Sequence, residues 1–208
     1  MGPTAFVFIA CAYMVGSLSF AVIVSKLMGI EDPRSYGSHN PGATNVLRSG
    51  KKLAAALTLL GDGLKGLAVV LVGKHFGPQY GVDVAAIAWM ALAVIVGHMW
   101  PMFFNLKGGK GVATAIGVMF GLNVWLGCAV VATWLLVAFI WRYSSLAAML
   151  ALGLSPLYGA FLMPRGNPEL GITMVIGLLV FYRHRGNLVK LLTHQEKKIG
   201  QKESAAAE

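Results

Sequence analysis

Six apolar runs, separated by short polar segments, set the frame of this chain. They lie near residues 4–28, 54–76, 84–104, 112–141, 146–163 and 171–182. A bilayer-spanning helix needs about 20 predominantly apolar residues. Four of the runs suit one crossing each, and the last gains length by borrowing residues from Asn167 onward. The run 112–141 is long for one helix and short for two. Basic residues decide between these, because Lys and Arg concentrate in cytoplasmic loops. With the N-terminus outside and the run 112–141 crossing twice, turning near 121–123, fourteen Lys and Arg fall on the cytoplasmic side. Lys74 and Arg165 fall outside and Lys65 lies within a span. A single crossing splits the charges 8 against 8. The pattern therefore predicts an all-α integral membrane protein with seven transmembrane helices, N-terminus out and C-terminus cytoplasmic.

Residues 1–182 then form one helical bundle, with cytoplasmic loops at 29–53, 104–114 and 141–145, and 183–208 form a basic cytoplasmic tail. In the tail, basic residues alternate with Leu188, Leu191, Leu192 and Ile199, as in a helix lying along an anionic membrane surface. Residues 204–208 are expected to be disordered.

Composition agrees. Of 208 residues, 57% are hydrophobic and 12% charged, about half the charged fraction of a soluble domain. The net charge of +9 is accounted for by membrane orientation, and no soluble basic domain points to nucleic acid. Cys11 and Cys128 both lie in apolar runs, so no disulfide framework is implied. The first residues lack the basic flank of a signal peptide, so the first apolar run is expected to be retained.

Two connectors stand out. The first contains Gly37, Ser38, His39, Asn40, Pro41, Gly42, Thr44, Asn45 and Arg48. Glycine opens backbone conformations that other residues avoid. Hydroxyls, backbone N–H groups and a fork-shaped guanidinium are what phosphate oxygens take. The second runs Lys107-Gly108-Gly109-Lys110-Gly111 and leads into an apolar helix with Thr114 in its first turn. A helix N-terminus after a glycine-rich, lysine-bearing loop suits an anion. It is not a nucleotide-binding P-loop, because Gly111 stands where serine or threonine is needed.

Other polar residues are fewer. Asp62 and Lys65 share a helix face inside a span and can pair; the formal G-x-G-x-x-G around them has no preceding strand. They read as structural and site-shaping. His98 sits at a span end before Met-Trp-Pro. Ser144 and Ser145 begin a helix, where capping accounts for at least one of them. His184 and Asn187 lie one turn apart at the cytoplasmic end of the last span and read as a polar site, whereas Arg183 and Arg185 read as snorkelling side chains. No His/Cys/Asp cluster has metal-ligand spacing and no cofactor is implied.

Taken together, the stretches 37–48, 62–66, 97–114 and 183–192 resemble the bacterial acyl-phosphate-dependent glycerol-3-phosphate acyltransferases. The likeness keeps order and spacing up to Lys198. It implies transfer of a fatty acyl group from acyl phosphate to the sn-1 hydroxyl of glycerol-3-phosphate, giving lysophosphatidic acid and phosphate at the bacterial inner membrane. It also implies functional coupling to the enzyme that makes acyl phosphate. Carried onto this chain, the catalytic set is Ser38, Arg48, Lys110, His184 and Asn187. The substrate-binding set is Gly37, His39, Asn40, Gly42, Thr44, Asn45, Gly108, Gly109, Gly111, Thr114 and Ser145. Asp62, Lys65, His98 and Glu196 are structural near the site. One departure is His39, where the family usually has glycine; it is expected to tune donor affinity. The rival expectations are a carrier for organic phosphates and a binding subunit of a lipid-synthesis complex.

Overall fold

The structure, a computed structural model, describes residues 1–201, so the tail stretch 204–208 lies outside the described residues. Among these it is all-helical, with α1 (Pro3–Gly16), α2 (Phe20–Leu27), α3 (Ala43–Leu47), α4 (Lys52–Phe76), α5 (Val84–Met99), α6 (Val112–Leu122) and α7 (Val124–Trp141). There follow α8 (Ser144–Gly153), α9 (Ser155–Leu162), α10 (Pro168–Arg183) and α11 (Arg185–Leu192). Four stretches are long and apolar enough to cross a membrane: Lys52–Tyr80, Val84–Phe104, Val124–Trp141 and Ser144–Leu162. The pair α1 and α2, bent by 44°, makes a fifth.

Three apolar runs contain breaks, each with a local cause. The first bends at Ser17, whose Oγ donates back to the Tyr13 carbonyl at 2.9 Å, a bond that competes with the helical ladder. The bend frees the Leu18 carbonyl, which accepts from Lys65 Nζ at 2.7 Å. The run 112–141 breaks at Asn123, whose extended backbone ends α6 and whose side chain accepts from the N–H groups of Trp125 and Leu126 to start α7. That is the turn expected near 121–123. The run 146–163 breaks at Leu154, because Pro156 cannot donate to a continuing ladder and instead sits in the first turn of α9.

Glycine sets the tightest packing. A Cβ on Gly117 would collide with the Gly63 carbonyl and one on Gly66 with the Thr114 carbonyl, so α4 and α6 touch backbone to backbone. Gly16 and Gly97 do the same for α1 and α5. Without a hydrophobic force between helices in lipid, such close approach supplies the contact energy. Ile95, Met99, Met119, Leu126, Leu152 and Ile176 fill the core. Phe139, Phe161 and Leu178 stay largely uncovered on the outside, as hydrocarbon-facing side chains do.

The two ends of the bundle differ. At one end Lys74 Nζ donates to the Leu122 carbonyl at 2.7 Å and lies 3.4 Å from Glu169 Oε1. Asn123 Nδ2 reaches the Leu162 carbonyl at 3.2 Å there. These contacts lace helix ends together. The other end opens into a cavity, and nearly all the singled-out polar residues gather around it.

Candidate functional site

The first connector is organised around one buried amide. Asn45 lies on the short helix α3, with 2% of its surface exposed. Its Nδ2 donates to the carbonyls of Pro33 at 2.7 Å and Tyr36 at 3.1 Å, and its Oδ1 accepts the Ser38 N–H at 2.9 Å. Gly37 fits beside it at φ +61°, and a Cβ there would run into Asn45 Oδ1 and crowd the Arg48 guanidinium. The side chain predicted to touch phosphate is thus occupied in holding the loop, in which Ser38 and Arg48 both line the cavity wall. Asp32 braces the outer part of the loop. The Arg34 guanidinium pairs with it at 2.6 Å and holds its carboxyl below the usual range.

His39 adopts φ +55°, the left-handed region that glycine enters without steric cost. Its Nδ1 lies 3.0 Å from the Arg34 carbonyl, and its side chain is exposed and off the cavity wall.

The second connector is clamped from both sides. Gly109 N–H donates to the His98 carbonyl at 3.1 Å, and the His98 ring packs so closely that any side chain at Gly109 would strike it. From the other side the Arg183 guanidinium takes the Gly108 carbonyl at 2.7 Å and the Gly109 carbonyl at 2.9 and 3.1 Å. Arg183 is therefore no simple snorkelling side chain, and only its place beside His184 in sequence hinted at this. Gly111, at φ +80°, turns the chain into α6. Lys110 and Gly111 face the cavity, whereas Thr114, Gly108 and Gly109 lie behind its surface.

Beneath this connector lies a buried polar cluster. Asp62 and Lys65 are 2% and 5% exposed and pair at 2.7 Å. Lys65 Nζ is also 3.0 Å from His98 Nδ1. The cluster links α4, the bend after α1 and the end of α5, directly under the glycine loop. Asp62 and His98 reach the cavity floor.

The last wall comes from α8, α10 and α11. Asn187 Oδ1 accepts from Lys110 Nζ at 2.6 Å and Asn187 Nδ2 donates to Glu196 Oε1 at 2.8 Å. Ser145 Oγ donates to the same Glu196 oxygen at 2.6 Å. Neither Ser144 nor Ser145 caps α8, contrary to the expectation for at least one of them; Tyr143 holds that position without a side-chain bond. Ser144 Oγ lies 3.5 Å from Thr44 Oγ1 across the mouth. The tail does not simply lie flat. It turns after α11 and returns to the site, where the Ile199 N–H donates to the Arg142 carbonyl at 2.6 Å.

His184 ends α10, is buried, and has Nδ1 2.8 Å from the Val180 carbonyl. A carbonyl only accepts, so the proton is on Nδ1 and Nε2 keeps a free lone pair. Burial, with the neighbouring Lys110 charge, pushes His184 down to about 4. Burial likewise pushes Lys110 down to about 8, with Glu196 opposing and Lys190, Arg183 and Arg48 adding to the effect.

The cavity holds about 690 Å³. Its polar end carries Ser38, Arg48, Lys110, His184 and Asn187, and its apolar end carries Leu59, Ile116, Val131, Trp134 and Leu135. A cationic, hydroxyl-bearing end joined to an apolar channel fits an anion attached to a hydrocarbon chain. Among the described residues no group of three or more His, Cys, Asp or Glu is placed to hold a metal.

Comparison with known proteins points the same way. Residues 6–194 match the family described as glycerol-3-phosphate acyltransferase. A protein of that name from Chromobacterium violaceum is 58% identical over 99% of this chain and all of its own length. One from Cupriavidus metallidurans is 54% identical over 94% of this chain and 96% of its own. Two crystal structures of PlsY, an integral membrane glycerol 3-phosphate acyltransferase, are similar throughout. The glycerol 3-phosphate form has a TM-score of 0.85 at 38% identity, and the lysophosphatidic acid form 0.84 at 37%. Each covers 95% of this chain and 96% of the solved one.

Proposed function

The chain belongs to the glycerol-3-phosphate acyltransferase family, and from that premise we propose that its donor is a fatty acyl phosphate and its acceptor the sn-1 hydroxyl of glycerol-3-phosphate. The products are lysophosphatidic acid and inorganic phosphate. The observation that carries this reading is the two-ended cavity, in which Ser38, Arg48 and Lys110 meet His184 and Asn187 at the mouth of an apolar channel.

The chemistry suits these residues. An acyl phosphate is a mixed anhydride that is already activated, so the acceptor oxygen attacks the carbonyl directly and phosphate leaves. Catalysis then rests on placing the two substrates and on stabilising charge on the carbonyl oxygen and departing phosphate. Arg48 and Lys110 supply cations, and the first turn of α6 supplies N–H groups without intrahelical partners. Ser38, Ser145 and Asn187 orient the glycerol phosphate. His184 Nε2 accepts a hydrogen bond from the attacking hydroxyl. At about 4, His184 is a weaker base than a phosphate monoester dianion, whose second pKa is about 6. We therefore give the hydroxyl proton to a substrate phosphate oxygen and leave His184 as an orienting group, with the His184→Gln rate profile as the check.

The proposal extends to topology. Loops 29–53, 104–114 and 141–145 and the turn at His184 meet at one end of the bundle, and α6, at about 16 Å, is enclosed by its neighbours. With the distribution of Lys and Arg along the chain, the gathering of these loops at one end supports a site facing the cytoplasm; the proposed arrangement has seven crossings, the N-terminus outside, and the protein in the bacterial inner membrane. The acyl chain enters from the bilayer along the α4, α6 and α7 side. A donor this prone to hydrolysis favours coupling to the enzyme that makes it.

The test is turnover by purified protein in lipid, with palmitoyl phosphate and labelled glycerol-3-phosphate. Equal amounts of inorganic phosphate and labelled lysophosphatidate are expected. Ligand binding without turnover by folded protein would favour a scaffold, and counterflow of labelled glycerol-3-phosphate in liposomes would favour a carrier.

A further inference from the structure

We propose that Arg183 is a positioning residue for the transfer reaction, acting through the glycine loop to aim backbone N–H groups and Lys110 at the reacting phosphate and carbonyl. The inference rests on the acyltransferase reading above.

The guanidinium of Arg183 uses Nε and one terminal nitrogen on two consecutive carbonyls, those of Gly108 and Gly109. Its plane is held by the Trp100 ring, 5.3 Å away. Arginine at a helix end in a membrane protein ordinarily lies against the interface with its head in water. Here the head is turned into the protein and holds backbone. Its neighbour Arg185 behaves differently, being exposed, stacked on Tyr182 and bonded to the carbonyl of the same residue.

The consequence follows from peptide geometry. In a trans peptide the carbonyl and the following N–H point in opposite directions. Holding the Gly108 carbonyl on the Arg183 side sends the Gly109 N–H to the His98 carbonyl on the other. Holding the Gly109 carbonyl the same way turns the Lys110 N–H away from Arg183, to the side where Lys110 and Gly111 line the cavity. Two glycines without side chains can rotate their peptides readily, and an unheld loop would present carbonyl oxygens to an anion as easily as N–H groups. The fork removes that choice. It also ties the loop to the residue next to His184, so the donor side and the acceptor side of the site move as one piece.

The experiment compares wild type, Arg183→Ala, Arg183→Lys and Arg185→Gln in lipid, with palmitoyl phosphate and glycerol-3-phosphate. Misaimed N–H donors act on charge in the transition state, so Arg183→Ala is expected to lose about 10²-fold, mainly in kcat. Added guanidinium ion at tens of millimolar restores at least about tenfold of this, saturably, by refilling the vacated fork. Arg183→Lys, a point donor, keeps the loss at roughly tenfold, and Arg185→Gln keeps wild-type kcat. Unchanged kcat in Arg183→Lys overturns the proposal even where the alanine variant does not fold. So does a loss in folded Arg183→Ala that guanidinium leaves untouched. An inactive wild type would instead overturn the acyltransferase reading and take this inference with it, whereas an active wild type with indifferent Arg183 variants overturns this inference alone.

Discussion

Lys110 Nζ donates to Asn187 Oδ1 at 2.6 Å, and Asn187 turns its other amide atom to Glu196. The amide orientation is thereby set, with its acceptor toward the cation and its donor toward the carboxylate. Replacing Asn187 with Asp keeps the shape but puts a charge beside Glu196 and opposes substrate phosphate. Asn187→Asp is expected to raise KM for glycerol-3-phosphate more than Asn187→Ala does, measured by initial rates at varied acceptor concentration.

The position of Lys110 at about 8 gives the free protein an alkaline limit. Below that pH the ammonium is present; above it the cation is lost and anion binding weakens. kcat/KM is expected to fall about tenfold per pH unit above roughly 8. The limit in kcat lies higher, since bound phosphate stabilises the ammonium. Lys110→Arg removes the limb, because a guanidinium stays charged. Paired pH profiles of kcat/KM and kcat check this.

His184 is expected to act by orientation. Loss of an obligatory general base costs about 10²–10⁴-fold. His184→Gln, which retains a hydrogen-bonding side chain, is expected to lose less than about 10²-fold. A larger loss, together with a vanished acidic limb in the rate profile, would make the imidazole the base.

Asn45 and His39 should separate loop architecture from ligand contact. Asn45→Ala leaves the Ser38 N–H and the Pro33 carbonyl without partners, at about 1–3 kcal/mol for each group that stays dry, while the Tyr36 carbonyl keeps the His39 N–H. Both thermal stability in detergent and activity should drop. His39→Gly relieves a left-handed residue but loses the bond to Arg34, so stability should move by less than about 1 kcal/mol. Its side chain is off the cavity wall, so KM should stay within about twofold of wild type, in contrast to the donor tuning expected from sequence.

The buried Asp62–Lys65 pair invites a double-mutant cycle. Lys65→Met removes the cation from a buried carboxylate, which keeps His98 Nδ1 at 3.4 Å, and is expected to cost about 3–5 kcal/mol. Adding Asp62→Leu should recover part of the stability, since no charge is then left unpaired. Thermal denaturation of the single and double variants measures the difference. Full additivity would mean that the two do not act as a pair.

Much was legible in the chain because its causes are local. Apolar length, the +9 charge and its distribution predict helices in a membrane, and glycines beside Ser38, Arg48 and Lys110 predict two anion-binding connectors. Helix propensity and hydrophobic patterning act over a few turns, so a linear reading reaches them. Asn123 as a break and Asp62–Lys65 as a pair also depend only on neighbours.

The tertiary structure decided what each polar group has left to offer. Asn45 appears in the sequence as one more ligand for phosphate, yet its three hydrogen bonds are spent on the backbone of its own loop. Arg183 reads as an interfacial cation, yet its fork holds Gly108 and Gly109, 75 and 74 residues away. Glu196 joins Ser145 to Asn187 only because the tail turns back after α11. A hydrogen-bonding group has a fixed number of partners, and contacts between distant segments determine which it takes. Residue type and spacing therefore determined the chemistry gathered at this membrane, while packing determined which polar groups line the cavity and which hold those groups in place.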